Sequence, residues 1–493
     1  MTDVNLGALI KAYDVRGVVP EPFGIEVARA IGTAFADVVV LPAAAADARP
    51  TAVIGRDMRA SGPALVEAFA GGLTARGVDV VLIGLCSTDG LYHASGALAV
   101  PGAMFTASHH PAEYTGIKMC HAGARPVGQD TGLTEIRRRA ERLLADGLPA
   151  AVDVPGQVSE REMLTEYAGF LRNLVDLSAQ RRLRVVVDAG NGMAGLTAPA
   201  VLGDAVGLPA LPLDVVPLYF ELDGTFPNHE ANPLEPKNLV DLKAAVVANG
   251  ADIGLAFDGD ADRCFVIDER GLPVSPSAVT ALVGLREVAR ERAEGRTATV
   301  IHNLITSRAV PELLQAAGAR TVRTRVGHSF IKSQMADNDA VFGGEHSAHY
   351  YFRDFFFADT GMLAALHVLA ALAQAKRPDG SPIALSELAD VYEPYVSSGE
   401  INSRVPDVAA ARQRVVDAYG TGEAGPVEVD ELDGLTVAHW DATPRWWFNL
   451  RASNTEPLLR LNVEAADEDV MTKVRDDVLA LVRQDLAADE EGA

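Results

Sequence analysis

The chain has 493 residues, roughly three times a typical single domain, so more than one hydrophobic core is expected. Hydrophobic residues make up 48% and charged ones 22%, which excludes disordered, collagen-like and coiled-coil chains. Sixty-seven acids against 43 bases give a formal net charge of -24, a field that repels nucleic acid, anionic membrane and anionic metabolites alike. Any anion site must therefore be built locally, and only seven of the basic residues are lysines. Cys86, Cys120 and Cys264 are far apart and lack CxxC spacing, which fits a reducing compartment. The N-terminus has no basic segment leading into an apolar run, and the apolar stretch 360–375 is too short to cross a bilayer. A cytoplasmic protein with no nucleic-acid or membrane partner is expected.

In chain order, a unit of apolar strand, polar turn, amphipathic helix and apolar strand recurs three times, as tandem α/β domains with mixed sheets require. The first copy opens with TAVIGRDMR, has Ser61 as a candidate cap, places Leu65, Phe69 and Leu73 on one helical face, and closes with VDVVLIG. The second runs from LRVVVDAGNGMAG to LDVVPLYF. The third runs from TATVIHNLI, with Ser307 at the cap, through VPELLQAAG to RTVRTRV. After about residue 390 the pattern changes: Leu459, Leu461 and Val463 alternate with Arg460, Asn462 and Glu464 as in a half-buried strand, and a helix is expected over 468–486. The expected architecture is three tandem α/β domains, 1–155, 156–272 and 273–385, and a smaller C-terminal α+β domain, 386–493, around a central cleft.

Six polar clusters punctuate this pattern. Tyr13-Asp14-Val15-Arg16-Gly17 sets an Arg beside a Gly and is uninformative alone. Thr106-Ala107-Ser108-His109-His110-Pro111, with Lys118 ten residues beyond the serine, has the ingredients of a nucleophile or phosphate carrier, or of a plain hydroxyl-bonded turn. Asp258, Asp260 and Asp262 alternate after a strand-like run and concentrate hard oxygen ligands on one loop, as Mg²⁺ requires, with Arg263 beside them. An EF-hand reading fails because Arg263 stands where that loop needs Gly. Gly327-His328-Ser329-Phe330-Ile331-Lys332 offers another His and a rare Lys. Glu345, His346, Ser347 and His349 suit recognition of vicinal sugar hydroxyls, or form an ordinary surface loop with incidental histidines. Arg451-Ala452-Ser453-Asn454-Thr455 lies between two strands, as a nest for a phosphate dianion or as a polar hairpin turn.

Together these clusters resemble the α-D-phosphohexomutase superfamily, in its bacterial phosphomannomutase/phosphoglucomutase branch. The resemblance spans nearly the whole chain in order, through KAYDVRG, GRDMR, TASHHP, DAGNGMAG, LDGTFPNHEANPLEP, DGDADR, VGHSFIK, GGEHSAHYYF and RASNTEP. It implies one active-site loop from each domain: a phosphoserine loop, a metal loop, a sugar loop and a phosphate loop. Ser108 would be the phosphorylated residue, and Asp258, Asp260 and Asp262 the Mg²⁺ ligands, completed by a Ser108 phosphoryl oxygen. Arg16, His109, Lys118 and Arg263 would surround the transferring group, with Lys118 as general acid or base and His328 and His349 on the sugar side. Tyr13, Lys332, Glu345 and Ser347 would contact the sugar, and Arg451, Ser453, Asn454 and Thr455 the phosphate that is not transferred.

The implied activity is interconversion of mannose 6-phosphate and mannose 1-phosphate, and of glucose phosphates, with hexose 1,6-bisphosphate as intermediate and activator, in a monomer or homodimer. Two features depart from the pattern: His110 stands where many members have Asn, and the 303–308 stretch lacks a Lys that some members place near the sugar. Competing readings are phosphoglucomutase as the main activity, a Mg²⁺-dependent phosphohydrolase with Asp258 as nucleophile, and a silent sugar-phosphate sensor. The hydrolase leaves Ser108 without a role, and the sensor would need a missing ligand or nucleophile. A positive cleft in an acidic shell is expected from Arg16, Lys118, Arg263, Lys332 and Arg451.

Overall fold

The computed structural model describes residues 6–10, 13–45, 47–178, 180–419, 427–452 and 458–485. Four sheets follow one another along the chain. The first contains β1 (Val15–Val18), β2 (Thr51–Arg56), β3 (Asp79–Leu85), β4 (Gly102–Phe105), β5 (Tyr114–His121), β6 (Arg125–Pro126) and β7 (Val158–Glu160). Its order is β1-β5-β4-β2-β3-β7, with β6 on β5. The second holds β8 (Leu183–Asp188), β9 (Leu213–Leu218), β10 (Ile253–Phe257), β11 (Cys264–Asp268) and β12 (Pro273–Val274), in the order β12-β11-β10-β8-β9. The third holds β13 (Thr299–Asn303), β14 (Arg320–Thr324), β15 (Phe342–Gly344), β16 (Tyr350–Phe352) and β17 (Ala358–Asp359), in the order β14-β13-β15-β16-β17.

The three sheets share one plan. Two helical crossovers carry the chain from the first parallel strand to its neighbour and back to the other side, and a fourth strand then returns antiparallel: β2-β3-β4-β5, β8-β9-β10-β11 and β13-β14-β15-β16. Each sheet thus has a switch point beside its first strand, and the loop after the third strand leaves from the carboxyl edge there, the place where such sheets bind ligands. The fourth sheet is different and wholly antiparallel: β18 (Val396–Arg404), β19 (Glu428–Asp430), β20 (Leu435–His439), β21 (Trp446–Ala452) and β22 (Leu458–Ala465), in the order β18-β22-β21-β20-β19.

The periodicity places the cores. Leu65, Phe69 and Leu73 are buried along the helix Gly62–Thr74, at the spacing of one helical face. Ser61 does not cap that helix; its hydroxyl bonds Thr115 of β5, and a proline in the first turn removes one unpaired N–H instead. Ser307 does act at a helix start, accepting the Ala309 N–H at 3.1 Å. One continuous core runs through the second and third domains and reaches Tyr92 and Cys120 of the first, whereas the first and fourth domains also have cores of their own.

The polar side of β22 is not exposed as its alternation suggests. Asn462 and Glu464 are buried because the third domain lies on that face, and the Glu464 carboxylate accepts the Arg308 N–H at 2.9 Å and the Trp447 indole N–H at 2.6 Å. The last helix runs Glu468–Val482, opened by the Asp467 side chain, which accepts the Val470 N–H. Among the described residues no helix is long and apolar enough to cross a membrane.

Candidate active site

The serine, aspartate and sugar clusters occupy equivalent positions: 106–113 joins β4 to β5, 258–263 joins β10 to β11, and 345–349 joins β15 to β16. The first two loops interlock. Gly259 lies so close to the serine backbone that a Cβ there would sit 2.4 Å from the Ser108 carbonyl oxygen, so only glycine fits. Ser108 itself has φ 51°, a left-handed backbone that costs a non-glycine residue about 1–2 kcal/mol and is held by its surroundings. Its N–H donates to Thr106 Oγ1 at 3.0 Å, and its hydroxyl donates to Asp258 Oδ2 at 2.7 Å, with His109 Nδ1 at 3.1 Å.

Asp258 is gripped by Arg263, whose Nε and one terminal nitrogen donate at 2.9 and 2.8 Å. Lys118 Nζ bridges Asp260 Oδ2 at 2.7 Å and Asp262 Oδ2 at 2.5 Å, and the Thr88 hydroxyl donates to Asp260 at 2.6 Å. Burial pushes the Asp258 carboxyl up, against the pull of Arg263. Burial also opposes ionisation of Asp260 and Asp262, yet Lys118 helps hold both below the usual carboxylate range. Burial would likewise lower Lys118, but the two aspartates raise it well above the ordinary lysine value and keep it charged.

One oxygen of each of the three aspartates lies within 4.8 Å of the others, and Asp260 Oδ1 and Asp262 Oδ1 are buried without a hydrogen-bond partner. Buried anionic oxygens of this kind call for a hard cation, so the donor set fits a divalent metal such as Mg²⁺.

Two histidines flank the serine as neutral groups. Burial, then Arg263 and Arg16, push His109 well below the usual imidazole value, and its Nδ1 accepts from Arg263 at 2.8 Å. Burial, then Arg16, bring His110 to about 4, and its Nδ1 accepts from Arg16 at 2.7 Å, while Asp14 takes the Arg16 Nε at 2.8 Å. His110 therefore orients an arginine that the resemblance places beside the phosphoryl group.

In the third domain Glu345 is buried and fixed by Asn303 Nδ2 at 3.2 Å, the Gly327 N–H at 3.3 Å and the Tyr351 hydroxyl at 2.7 Å. His349 lies between the loops, with Nδ1 3.2 Å from Ser347 Oγ and Nε2 3.7 Å from Asp262 Oδ1. Tyr13 of the first domain stacks edge-on against Phe330, its ring 6.3 Å away, and its hydroxyl feels Arg325, Asp433, Glu345 and Arg451 after burial, which raises its pKa. Tyr13 thus lies within electrostatic reach of Glu345 and Arg451.

Lys332 faces inward: it is buried, with Nζ 2.6 Å from Asp359 Oδ1 and 4.0 Å above the Tyr92 ring. Arg451 lies near the end of β21, 3.5 Å from Glu400. Ser453, Asn454 and Thr455 lie outside the described residues, as does the His328 side chain, whose backbone opens the helix His328–Asp337. The expected positive cleft needs revision, because each of Arg16, Lys118, Arg263, Lys332 and Arg451 already faces a carboxylate.

Sequence reasoning missed Thr88 and Asp89, which sit at the start of the helix Thr88–Leu98, far in sequence from what they hold. Asp89 is fully buried and accepts the Tyr167 hydroxyl at 2.7 Å and the Thr360 hydroxyl at 2.6 Å, so the first three domains meet on one carboxylate. Their only signal is the Ser-Thr-Asp run, which also reads as an ordinary helix start.

A serine and three aspartates face to face, ringed by fixed cations, are the parts of a phosphoryl-transferring enzyme. Comparison with known proteins agrees. Models of phosphoglucomutase/phosphomannomutase match residues 7–145 as α/β/α domain I, 165–271 as domain II, 276–395 as domain III and 400–481 as the C-terminal domain. A Xanthomonas campestris protein named phosphohexose mutases is 38% identical over 467 residues, 94% of this chain and 96% of that one. A Salmonella typhimurium phosphomannomutase is 38% identical over 478 residues, 96% of this chain and 98% of that one. A crystal structure of a phosphoglucomutase/phosphomannomutase family protein from Burkholderia thailandensis superposes with a TM-score of 0.82 at 29% identity, covering 97% of both chains. The chain belongs to the phosphoglucomutase/phosphomannomutase family, and it is a phosphohexomutase.

Proposed function

We propose that this enzyme interconverts mannose 6-phosphate and mannose 1-phosphate, and glucose phosphates as a second pair, with Ser108 as phosphoryl carrier. The observation that carries this reading is the Ser108 hydroxyl, held 2.7 Å from Asp258 and within reach of Arg263. Asp258, Asp260 and Asp262, with an oxygen of the Ser108 phosphoryl group, are the residues that would hold Mg²⁺. Bound there, the metal would neutralise charge developing on the phosphoryl oxygens.

The chain's own groups carry the rest. In the first half-reaction the bond from phosphorus to Ser108 Oγ breaks and one to the free sugar hydroxyl forms. Lys118, held charged, supplies a proton to the serine oxygen, and His349 takes the proton of the sugar hydroxyl. Arg16, oriented by His110 and Asp14, and Arg263, held by Asp258, face the moving charge. Glu345 and Ser347 read C-3 and C-4, which are alike in mannose and glucose; Tyr13 and His328 complete the sugar side, and Lys332, buried against Asp359, stands behind it rather than in contact with the sugar. Arg451, Ser453, Asn454 and Thr455 hold the second phosphate. The hexose 1,6-bisphosphate turns end over end and returns its other phosphate to Ser108. The same reading takes the domains as 1–155, 156–272, 273–385 and 386–493, in a cytoplasmic monomer or homodimer; the third family match runs past that limit, to 395.

The test supplies mannose 1-phosphate with Mg²⁺ and a trace of hexose 1,6-bisphosphate and follows phosphorus NMR. Mannose 6-phosphate without inorganic phosphate is the expected product, and inorganic phosphate as the main product defeats the mutase reading. Ser108→Ala is expected to remove nearly all turnover while substrate still binds.

A further inference from the structure

Two sequence motifs take no part in the chemistry above: GRDMR, which runs out of the end of β2, and LDGTFPN in the second domain. They meet at Arg59. This side chain is 1% exposed, yet every N–H of its guanidinium is used. Nε donates to Asp57 Oδ2 at 3.2 Å. One terminal nitrogen donates to the carbonyls of Pro111 and Tyr114 at 2.6 and 2.9 Å, and the other to those of Ser108 and His110 at 3.0 and 2.6 Å.

All four carbonyls belong to the serine loop or to the first residue of β5. Asp57 braces the arrangement from one side: its Oδ1 accepts the Arg59 N–H at 3.0 Å, and it shares a hydrogen bond with Thr106, whose hydroxyl also receives the Ser108 N–H. The second domain braces the other side. The Phe226 ring lies 5.2 Å from the guanidinium carbon, and a Cβ on Gly224 would sit 2.8 Å from Arg59 Cα.

We infer that Arg59 is a positioning residue for the reactive serine. Clamped between Asp57 and Phe226, its guanidinium gathers the carbonyls of the 108–114 segment and so holds Ser108 in its left-handed conformation, with Oγ aimed at Asp258. The inference rests on Ser108 being the carrier. Such a frame matters because phosphorylation adds nearly two negative charges to a loop that faces aspartates, and the same backbone must serve both states of the serine. Lysine cannot replace arginine here, because its ammonium has three N–H groups and the carbonyls and Asp57 together engage five in a planar fork. Arg59 acts through the backbone, so its loss is expected in the chemical step rather than in sugar binding.

The experiment uses the full-length enzyme with Arg59→Lys and, separately, Phe226→Leu, whose ring is only partly buried. For each, intact mass gives the fraction carrying an added phosphoryl group, peptide mapping places it, and kcat is normalised to that fraction alongside KM for mannose 1-phosphate. Arg59→Lys is expected to lower normalised kcat by about 30- to 100-fold with KM within about threefold, the scale on which a misplaced reacting group loses rate. Phe226→Leu is expected to lose about 3- to 10-fold in the same quantity. A normalised kcat within twofold of wild type in the variants that fold, with only the thermal midpoint lowered, overturns the inference by reducing Arg59 to a structural role. If Arg59→Lys does not fold, Phe226→Leu decides. A phosphoryl group mapped to a residue other than Ser108 in the wild type overturns the carrier reading itself, before any variant is made.

Discussion

Where the first three domains meet, Asp89 is fully buried and accepts hydrogen bonds from the Tyr167 and Thr360 hydroxyls, beside the Thr88–Asp260 bond. Where the third domain meets the fourth, the contacts include Arg323–Asp430, with each side chain 29% exposed, and Glu312, which takes the Trp440 indole and the Tyr395 hydroxyl at the surface. Cavities of about 320 and 200 Å³ remain in that seam. Exposed pairs of this kind contribute about 0–1 kcal/mol, and atoms lining a void forfeit dispersion. A buried, fully bonded carboxylate resists separation far more strongly. The two junctions differ in degree: the seam of the fourth domain holds one buried carboxylate, Glu464, among exposed pairs and cavities, whereas the serine and metal loops are locked by their surroundings, so opening is expected at the seam.

The largest test of this contrast is Asp89→Ala, which strips the shared acceptor from the buried hydroxyls of Ser87, Tyr167 and Thr360. It is expected to cost about 3–5 kcal/mol in urea unfolding. A loss below about 1 kcal/mol would erase the distinction between the two junctions.

Acid titration sharpens the same point. Burial lifts the Asp89 carboxyl to about 6, against the pull of the Ser87, Thr360 and Tyr167 hydroxyls. A folded pKa above the unfolded value means stability that is fullest below about pH 4 and is lost as pH rises to about 6, worth about 3 kcal/mol in all. The lead of wild type over Asp89→Asn should therefore shrink across that window; a lead that grows would contradict the sign.

Lys118→Met leaves Asp260 and Asp262 without their counter-charge. Turnover is expected to fall about 100-fold or more, the metal-free thermal midpoint to drop, and the rise on adding Mg²⁺ to exceed that of wild type. An unchanged response to Mg²⁺ in scanning calorimetry would dissociate Lys118 from the metal loop. At the seam, Glu464→Gln is expected to cost about 1–2 kcal/mol, because the Trp447 and Arg308 N–H groups keep an acceptor but lose its charge. Smallest of all, Glu312→Ala should change stability by less than about 1 kcal/mol and show itself, if at all, as a modest change in KM. A large loss of kcat there would mean that the seam reaches the chemistry.

Much of the site was legible because its motifs are local. The alternating acids 258–262 and the serine hexapeptide each gather their candidate groups within a few residues, and strand and helix periodicity revealed the repeated crossovers. The rest depends on contacts across domains, which periodicity does not register. Thr88 is bonded to a carboxylate 172 positions away. Asn462 and Glu464 have the polar alternation of an exposed strand face and are covered by a neighbouring domain. Arg59 stood inside a visible motif, but apart from Asp57 its guanidinium partners are backbone carbonyls, which leave no trace in residue identity. Ser61 looked like a cap because its type is right, and the adjoining strand claimed its hydroxyl first.

The equivalent placement of the three loops has a consequence for how this enzyme changes. Each hangs outside the hydrogen-bonded ladder of its own sheet, so replacing one leaves the pairing of strands intact. On the proposed reading the third loop joins two duties: Glu345 and Ser347 face the sugar while His349 lies 3.7 Å from Asp262, so an exchange of 345–349 is expected to re-tune recognition without loss of chemistry only where the histidine is kept.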